Sequence, residues 1–232
     1  MRIAIMQPYF LPYIGYFQLI AAADLFIVYD KIKYTKKGWI NRNRMLLNGA
    51  DSYFTLPLKS APDSLDVVER ELAPDFNRGR MLNQFAGAYA KAPHYRETME
   101  LLEQIIRYPE NNLFRFLDHS IRAVCERLGI RTRIQLSSEI EIDHRLKGQD
   151  KVMALCLRMG ATEYLNPIGG VTLYSRDHFE RNGVALNFIK SWPFEYEQFA
   201  GPHVPWLSIV DVMMFNPLEK IQSLIASAYD SE

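Results

Sequence analysis

The sequence predicts an α/β protein with a mainly parallel, Rossmann-like sheet and a helical segment inserted after the first strands. Two observations carry this. Residues 3–43 run in the order apolar segment, turn, amphipathic segment, apolar segment, polar loop, which is a βαβ unit with a right-handed crossover. Later, a helical pattern, a glycine and a strand-like run recur in that order at Gly129, Gly160 and Gly183.

Each element has its own signal. Ile3 to Met6 is short, apolar and at the very start, as a buried parallel strand is. Pro8, Pro12 and Gly15 then mark a shaped loop. Tyr16 to Ala23 carries Phe17, Leu19, Ile20 and Ala23 over about two helical turns. Leu25 to Tyr29 is a second apolar run, and β-branched Ile27 and Val28 favour a strand. Gly49-Ala50-Asp51 reads as a hairpin turn between 44–47 and 53–58, an antiparallel pair at the sheet edge. Ala61-Pro62-Asp63-Ser64 and Ala73-Pro74-Asp75 punctuate the chain as turns.

Three helices follow. Residues 77–91 space Met81, Phe85, Ala88 and Tyr89 on one face, and 95–107 does the same with Met99, Leu102, Ile105 and Ile106. Asn111 or Asn112 caps a third helix that ends at Gly129. Thr132–Leu136 is a strand, 151–159 a helix, 163–165 a short strand, 175–182 a helix and 184–189 a strand. The closing helix starts at 207–211. The chain divides into an N-terminal α/β unit (1–75), a helical segment (76–129) and a C-terminal half (130–232) that completes the sheet.

Composition excludes several functions. Lys plus Arg number 27 and so do Asp plus Glu, so no global field draws in nucleic acid. No apolar stretch reaches the length of a membrane span, and the N-terminus lacks a signal-peptide pattern. Cys125 and Cys156 lie on apolar helical faces without metal-ligand or C-x-x-C spacing. The expectation is a reduced, cytoplasmic enzyme with no membrane insertion, no metal site and no required cofactor. Thirteen Tyr and thirteen Phe suit stacking on sugars or bases as well as filling a core.

In a parallel sheet, ligands bind beyond the carboxyl ends of the strands. Two loops leave those ends in the first unit, 7–15 and 30–43, and both are crowded with polar and aromatic groups. The second interleaves Lys31, Lys33, Lys36, Lys37, Arg42 and Arg44 with Trp39, Asn41 and Asn43. Guanidinium forks bind phosphate or carboxylate, and Asn both donates and accepts. Asn166-Pro-Ile-Gly-Gly170 offers close backbone approach to a ligand or a tight turn. The aromatic tail with Trp192, Phe194, Tyr196, His203 and Trp206 is expected to wrap across the site. His203 is the histidine best placed for general-base work.

The motifs Q-P-Y-F-L-P-Y-I-G-Y-F at 7–17, D-L-F-I-V-Y-D at 24–30, W-I-N-R-N-R at 39–44, G-A-T-E-Y-L-N-P-I-G-G-V-T-L-Y at 160–174 and L-S-I-V-D-V-M-M-F-N-P at 207–217 resemble the WbqC-like protein family. That family is associated with bacterial O-antigen and related surface-polysaccharide gene clusters. The resemblance implies an enzyme that modifies an amino sugar or sugar nucleotide, with acyl or aminoacyl (for example glycyl) transfer as the specific expectation. On that reading Arg42 and Lys36 anchor phosphate, and Gln7, Asn41, Asn43 and Asn166 fix hydroxyls and amides. Tyr13, Tyr16, Trp39 and Tyr174 stack on rings, and His203 and Tyr16 carry the catalytic roles. A second resemblance, of the opening unit alone, is to nucleotidyltransferase-like enzymes such as pantothenate synthetase. Tyr13-Ile14-Gly15-Tyr16 stands where those enzymes have H-x-G-H. Phenol lacks the imidazolium's charge near neutral pH. Two alternatives stay open: an adenylate-forming enzyme using ATP and magnesium, and a non-catalytic sugar-nucleotide binding module.

Overall fold

The computed structural model describes residues 1–62 and 64–232; Asp63, part of the turn expected at 61–64, lies outside the described residues. Strands β1 (Arg2–Met6), β2 (Leu25–Val28), β5 (Arg133–Leu136), β6 (Glu163–Pro167), β7 (Ala185–Ser191) and β8 (Tyr229–Ser231) form one sheet. Their order is β5-β2-β1-β6-β7-β8. All neighbours pair in parallel except β7 and β8. The parallel part is doubly wound: it grows outward from β1 in one direction and from β6 in the other. The order of travel therefore reverses between β1 and β6, and a crevice opens there at the carboxyl ends of the strands.

Alternation along the strands separates two cores. Ala4, Phe26, Val28, Leu165 and Ile189 face one core, with α1 (Ile14–Ala22) and the helices α2 (Arg78–Tyr89), α3 (Tyr95–Ile106) and α4 (Leu113–Leu128). Ile3, Ile5, Leu25, Ile27 and Tyr164 face the other, with α5 (Gly148–Arg158) and Phe179 of α6 (Arg176–Arg181). The tail adds α7 (Ile209–Phe215) and α8 (Leu218–Ser227) to the first core. Asn112 is the cap of α4, its side chain accepting from the Arg115 N–H, and Gly129 closes that helix at φ 71°. Among the described residues no helix is long and apolar enough to cross a membrane.

Four local expectations are corrected. Gly15 sits inside α1 rather than in the loop before it. A Cβ there would lie 2.4 Å from the Tyr13 ring and 2.5 Å from Ser191 Oγ, so the glycine answers to a close approach, not to a bend. The hairpin strands are β3 (Arg42–Leu47) and β4 (Ala50–Thr55), joined by Asn48 and Gly49 at φ 53° and 78°. That is the Asn-Gly turn whose twist matches paired strands, so β4 starts earlier than the expected turn at 49–51 allows. The hairpin also forms a sheet of its own instead of extending the edge. The place beside β2 belongs to β5, and the hairpin packs Phe54 on Phe85 of α2, ring centroids 4.9 Å apart. Finally, β8 pairs antiparallel with β7, a strand that sequence periodicity did not reveal in so short a segment.

Candidate functional site

The loop after β1 is held by its apolar residues. Phe10 and Leu11 are fully buried, and Phe10 packs against Phe54 and Phe116. That anchoring brings the backbone into register with two distant segments. Phe10 N–H donates to the Ile40 carbonyl at 3.1 Å. Asn43 Nδ2 donates to the Phe10 carbonyl at 3.3 Å. Ser208 Oγ donates to the Leu11 carbonyl at 2.6 Å, and Ser208 N–H to the Arg44 carbonyl at 2.9 Å. The 7–13 loop, the 39–44 segment and the tail before α7 therefore meet at the crevice.

Two cavities lie there side by side. The first, of about 320 Å³, is lined by Tyr9, Tyr13, Trp39, Asn43 and Arg44, with Ile168 from beyond β6 and Ile189 and Ser191 at the end of β7. The second, of about 270 Å³, is lined by Tyr13, Phe194, Glu195, Tyr196 and His203. Tyr13 and Trp206 line both, their rings 6.2 Å apart and nearly perpendicular, and form the wall between them.

Arg44 is the cation of the first cavity. Its guanidinium donates to Asp51 at 3.1 Å and to the Trp206 carbonyl at 3.1 Å, and lies over Trp39 at 5.8 Å. Its Nε is buried and has no hydrogen-bond partner among the described residues. Burial raises the Tyr13 phenol above its ordinary range, against the Ser191 hydroxyl beside it, so Tyr13 is a neutral donor here.

In the second cavity, His203 Nδ1 lies 3.2 Å from the Tyr196 carbonyl. A carbonyl only accepts, so Nδ1 carries the proton and neutral His203 keeps Nε2 as its basic nitrogen. Behind Tyr196, Asp211 is fully buried and accepts from Tyr196 Oη (2.6 Å), Tyr89 Oη (2.8 Å) and Gln198 Nε2 (2.8 Å). Burial raises its carboxyl, against these three donors and the nearby His203. This network clamps the aromatic tail over the site.

Backbone strain collects around the same place. Leu11 (φ 43°) in the first segment, Trp206 (φ 58°) in the tail and Lys37 (φ 62°) just before the 39–44 segment adopt left-handed conformations that side chains disfavour.

The expected residues divide accordingly. Tyr13, Trp39 and Asn43 line the first cavity, and His203 lines the second with Tyr13. Tyr16 is buried among Phe17 and Phe26, and its hydroxyl donates to the Gln7 carbonyl at 2.9 Å. It has no surface from which to stack on a ring or exchange a proton with a substrate; it fixes the backbone of Gln7. Asn41 is likewise spent inside the fold, accepting from Tyr34 Oη at 2.8 Å and donating to the Leu56 carbonyl at 2.8 Å. Arg42 stacks over Tyr53 at 4.6 Å and donates to the Gly38 and Lys37 carbonyls, bracing the loop from outside the cavity, and Lys36 is exposed on that loop.

Asn166 and Tyr174 sit on the opposite face of the sheet, both beside the Tyr164 hydroxyl at 3.2 and 3.3 Å. A Cβ on Gly170 would fall 1.9 Å from Asn166 Nδ2, so the close approach that this glycine permits is to the protein's own side chain. Arg44, Tyr9, Ser191 and Glu195 line the cavities without having been among the expected residues. Arg42 and Arg44 stand two apart on one strand and so share a face, a usable signal for a second guanidinium; nothing local distinguishes Ser191 or Glu195.

Comparison with known proteins agrees with the motifs. The model of the WbqC-like protein family matches residues 7–223. The chain is similar to the uncharacterized protein Rv1507c of Mycobacterium tuberculosis (strain ATCC 25618 / H37Rv), 28% identical over 220 residues that cover 93% of each chain. No solved structure matches it.

Proposed function

The chain belongs to the WbqC-like protein family, and from that premise we propose that it is a transferase of surface-polysaccharide (O-antigen) precursor biosynthesis, acting on an amino sugar or sugar nucleotide by acyl or aminoacyl transfer. The observation that supports this most is the first cavity. It lies at the β1/β6 reversal, where open α/β sheets bind ligands, and it joins an arginine to a tryptophan face and a buried asparagine. Arg44 suits a phosphate oxygen, Trp39 an aromatic or sugar ring, and Asn43 a backbone register for both walls.

In the proposed reaction the sugar's amine nitrogen attacks the acyl carbonyl carbon. An N–C bond forms, and the bond from that carbon to the donor's leaving group breaks with its electron pair. The proton shed by nitrogen passes to His203 Nε2. Tyr13, neutral and placed in both cavities, donates to the oxygen on which negative charge develops.

Thermal stabilisation by UDP-sugars, ATP with magnesium and acyl-CoAs tests the reading. A sugar nucleotide should raise the melting temperature of the wild type and lose that effect in Arg44→Met. Stabilisation by ATP alone would replace it with adenylate-forming chemistry. Stabilisation by a sugar nucleotide with no turnover of any donor would leave a binding module.

A further inference from the structure

The charged groups of the two cavities are segregated by sign. The first is lined by one guanidinium, Arg44, whose carboxylate partner Asp51, 3.1 Å away, lies outside the lining. Across the Tyr13–Trp206 wall, the second is lined by Glu195, an exposed residue at its rim, and by neither lysine nor arginine. The rest of its polar lining is able to accept hydrogen bonds: neutral His203 through Nε2, and the phenol oxygens of Tyr13 and Tyr196, whose O–H groups also donate. Four lining residues carry aromatic rings, Tyr13, Phe194, Tyr196 and Trp206, beside the aliphatic Ile14, Pro193, Pro205, Leu207 and Val212. Tyr13 and Trp206 meet near the perpendicular, 74°, which is the corner of an aromatic box, and Phe194 and Tyr196 stack with centroids 5.3 Å apart.

An ammonium group brings three donors and no acceptor, and is drawn to ring faces and to a single carboxylate. A phosphate finds no lysine or arginine in that chamber. We infer that the second cavity is a cation subsite, and that it takes the protonated amine of the substrate while the first cavity takes its anionic part. This deepens the reading given above and rests on it for the name of the substrate. The chamber's preference for a cation stands on its lining alone. It also places the amine beside His203, the base of the proposed reaction.

The test uses the intact protein and simple probes. Glucosamine, in its protonated form, is titrated against glucose, which has the same ring without the charge, and tetramethylammonium supplies charge without the ring. Tryptophan fluorescence reports occupancy through Trp206. Glucosamine should bind about tenfold more tightly than glucose, and Glu195→Gln and Phe194→Leu should each weaken it several-fold. Arg44→Met should weaken UDP binding. Equal affinity for glucosamine and glucose overturns the subsite, as does unchanged affinity in both Glu195→Gln and Phe194→Leu. If UDP fails to bind the wild type, the sugar-nucleotide reading falls while the cation subsite is judged separately.

Discussion

Asp211 shows how much one buried side chain decides here. Three donors from α2 and the tail converge on it, so Tyr89, Tyr196 and Gln198 all depend on its oxygens. Asp211→Asn turns one acceptor into a donor facing donors, and should cost about 2–4 kcal/mol in urea unfolding. Burial holds its carboxyl above the ordinary 3.8. The native state thus keeps this proton more tightly than the unfolded chain does. The stability it contributes is complete below 3.8 and is lost as pH rises through the native value. The gap between wild type and Asp211→Asn should therefore narrow as pH increases across that range, and a gap that widens instead would contradict the assignment. Tyr16→Phe removes one hydrogen bond to the Gln7 carbonyl and should cost about 0.5–1.5 kcal/mol while leaving ligand affinity intact. Gly15→Ala drives a methyl into Tyr13 and Ser191, which must shift. Its expected signature is lost sugar-nucleotide stabilisation with helical circular dichroism retained.

At the scale of elements, α4 and α5 carry the two cysteines on their buried faces. Burial pushes both thiols up to about 12. Neither should react with a thiol reagent in the native protein, and both should react once it is unfolded; native labelling would mean these helices open locally. Asn112 does two jobs at the head of α4: its oxygen caps the Arg115 N–H and its Nδ2 donates to the Val68 carbonyl at 2.7 Å. Asn112→Ala should lower stability by about 1–2 kcal/mol. The helix signals were readable because caps, closing glycines and 3.6-residue periodicity are local. The hairpin's turn residues, Asn48 and Gly49, were equally local, but where the hairpin docks depended on β5, more than eighty positions later in the chain.

At the scale of the molecule, the helices of 76–129 share one core with the sheet. Phe85, Tyr89, Leu102 and Phe116 belong to the same buried cluster as Phe17, Phe26 and Val28. Leu46 N–H donates to Tyr89 Oη, which donates in turn to Asp211, so hairpin, helical segment and tail are linked in one chain of hydrogen bonds. Calorimetric unfolding should be a single cooperative transition; two resolved transitions would separate the helical segment as an independent unit.

The sequence by itself determined the parallel sheet, most helices and the meeting of the 7–15 and 30–43 loops, because hydrophobic period, caps and strand-end loops are written in neighbouring residues. It also singled out Tyr13, Trp39, Asn43 and His203. Only the tertiary structure decided which polar residues face a cavity. Whether Arg42 or Arg44 points inward, and whether Tyr16 or Asn166 is satisfied within the protein, depends on partners far away along the chain. A side chain's chemistry is local, but its freedom to meet a ligand is set by whatever else has already claimed its hydrogen bonds.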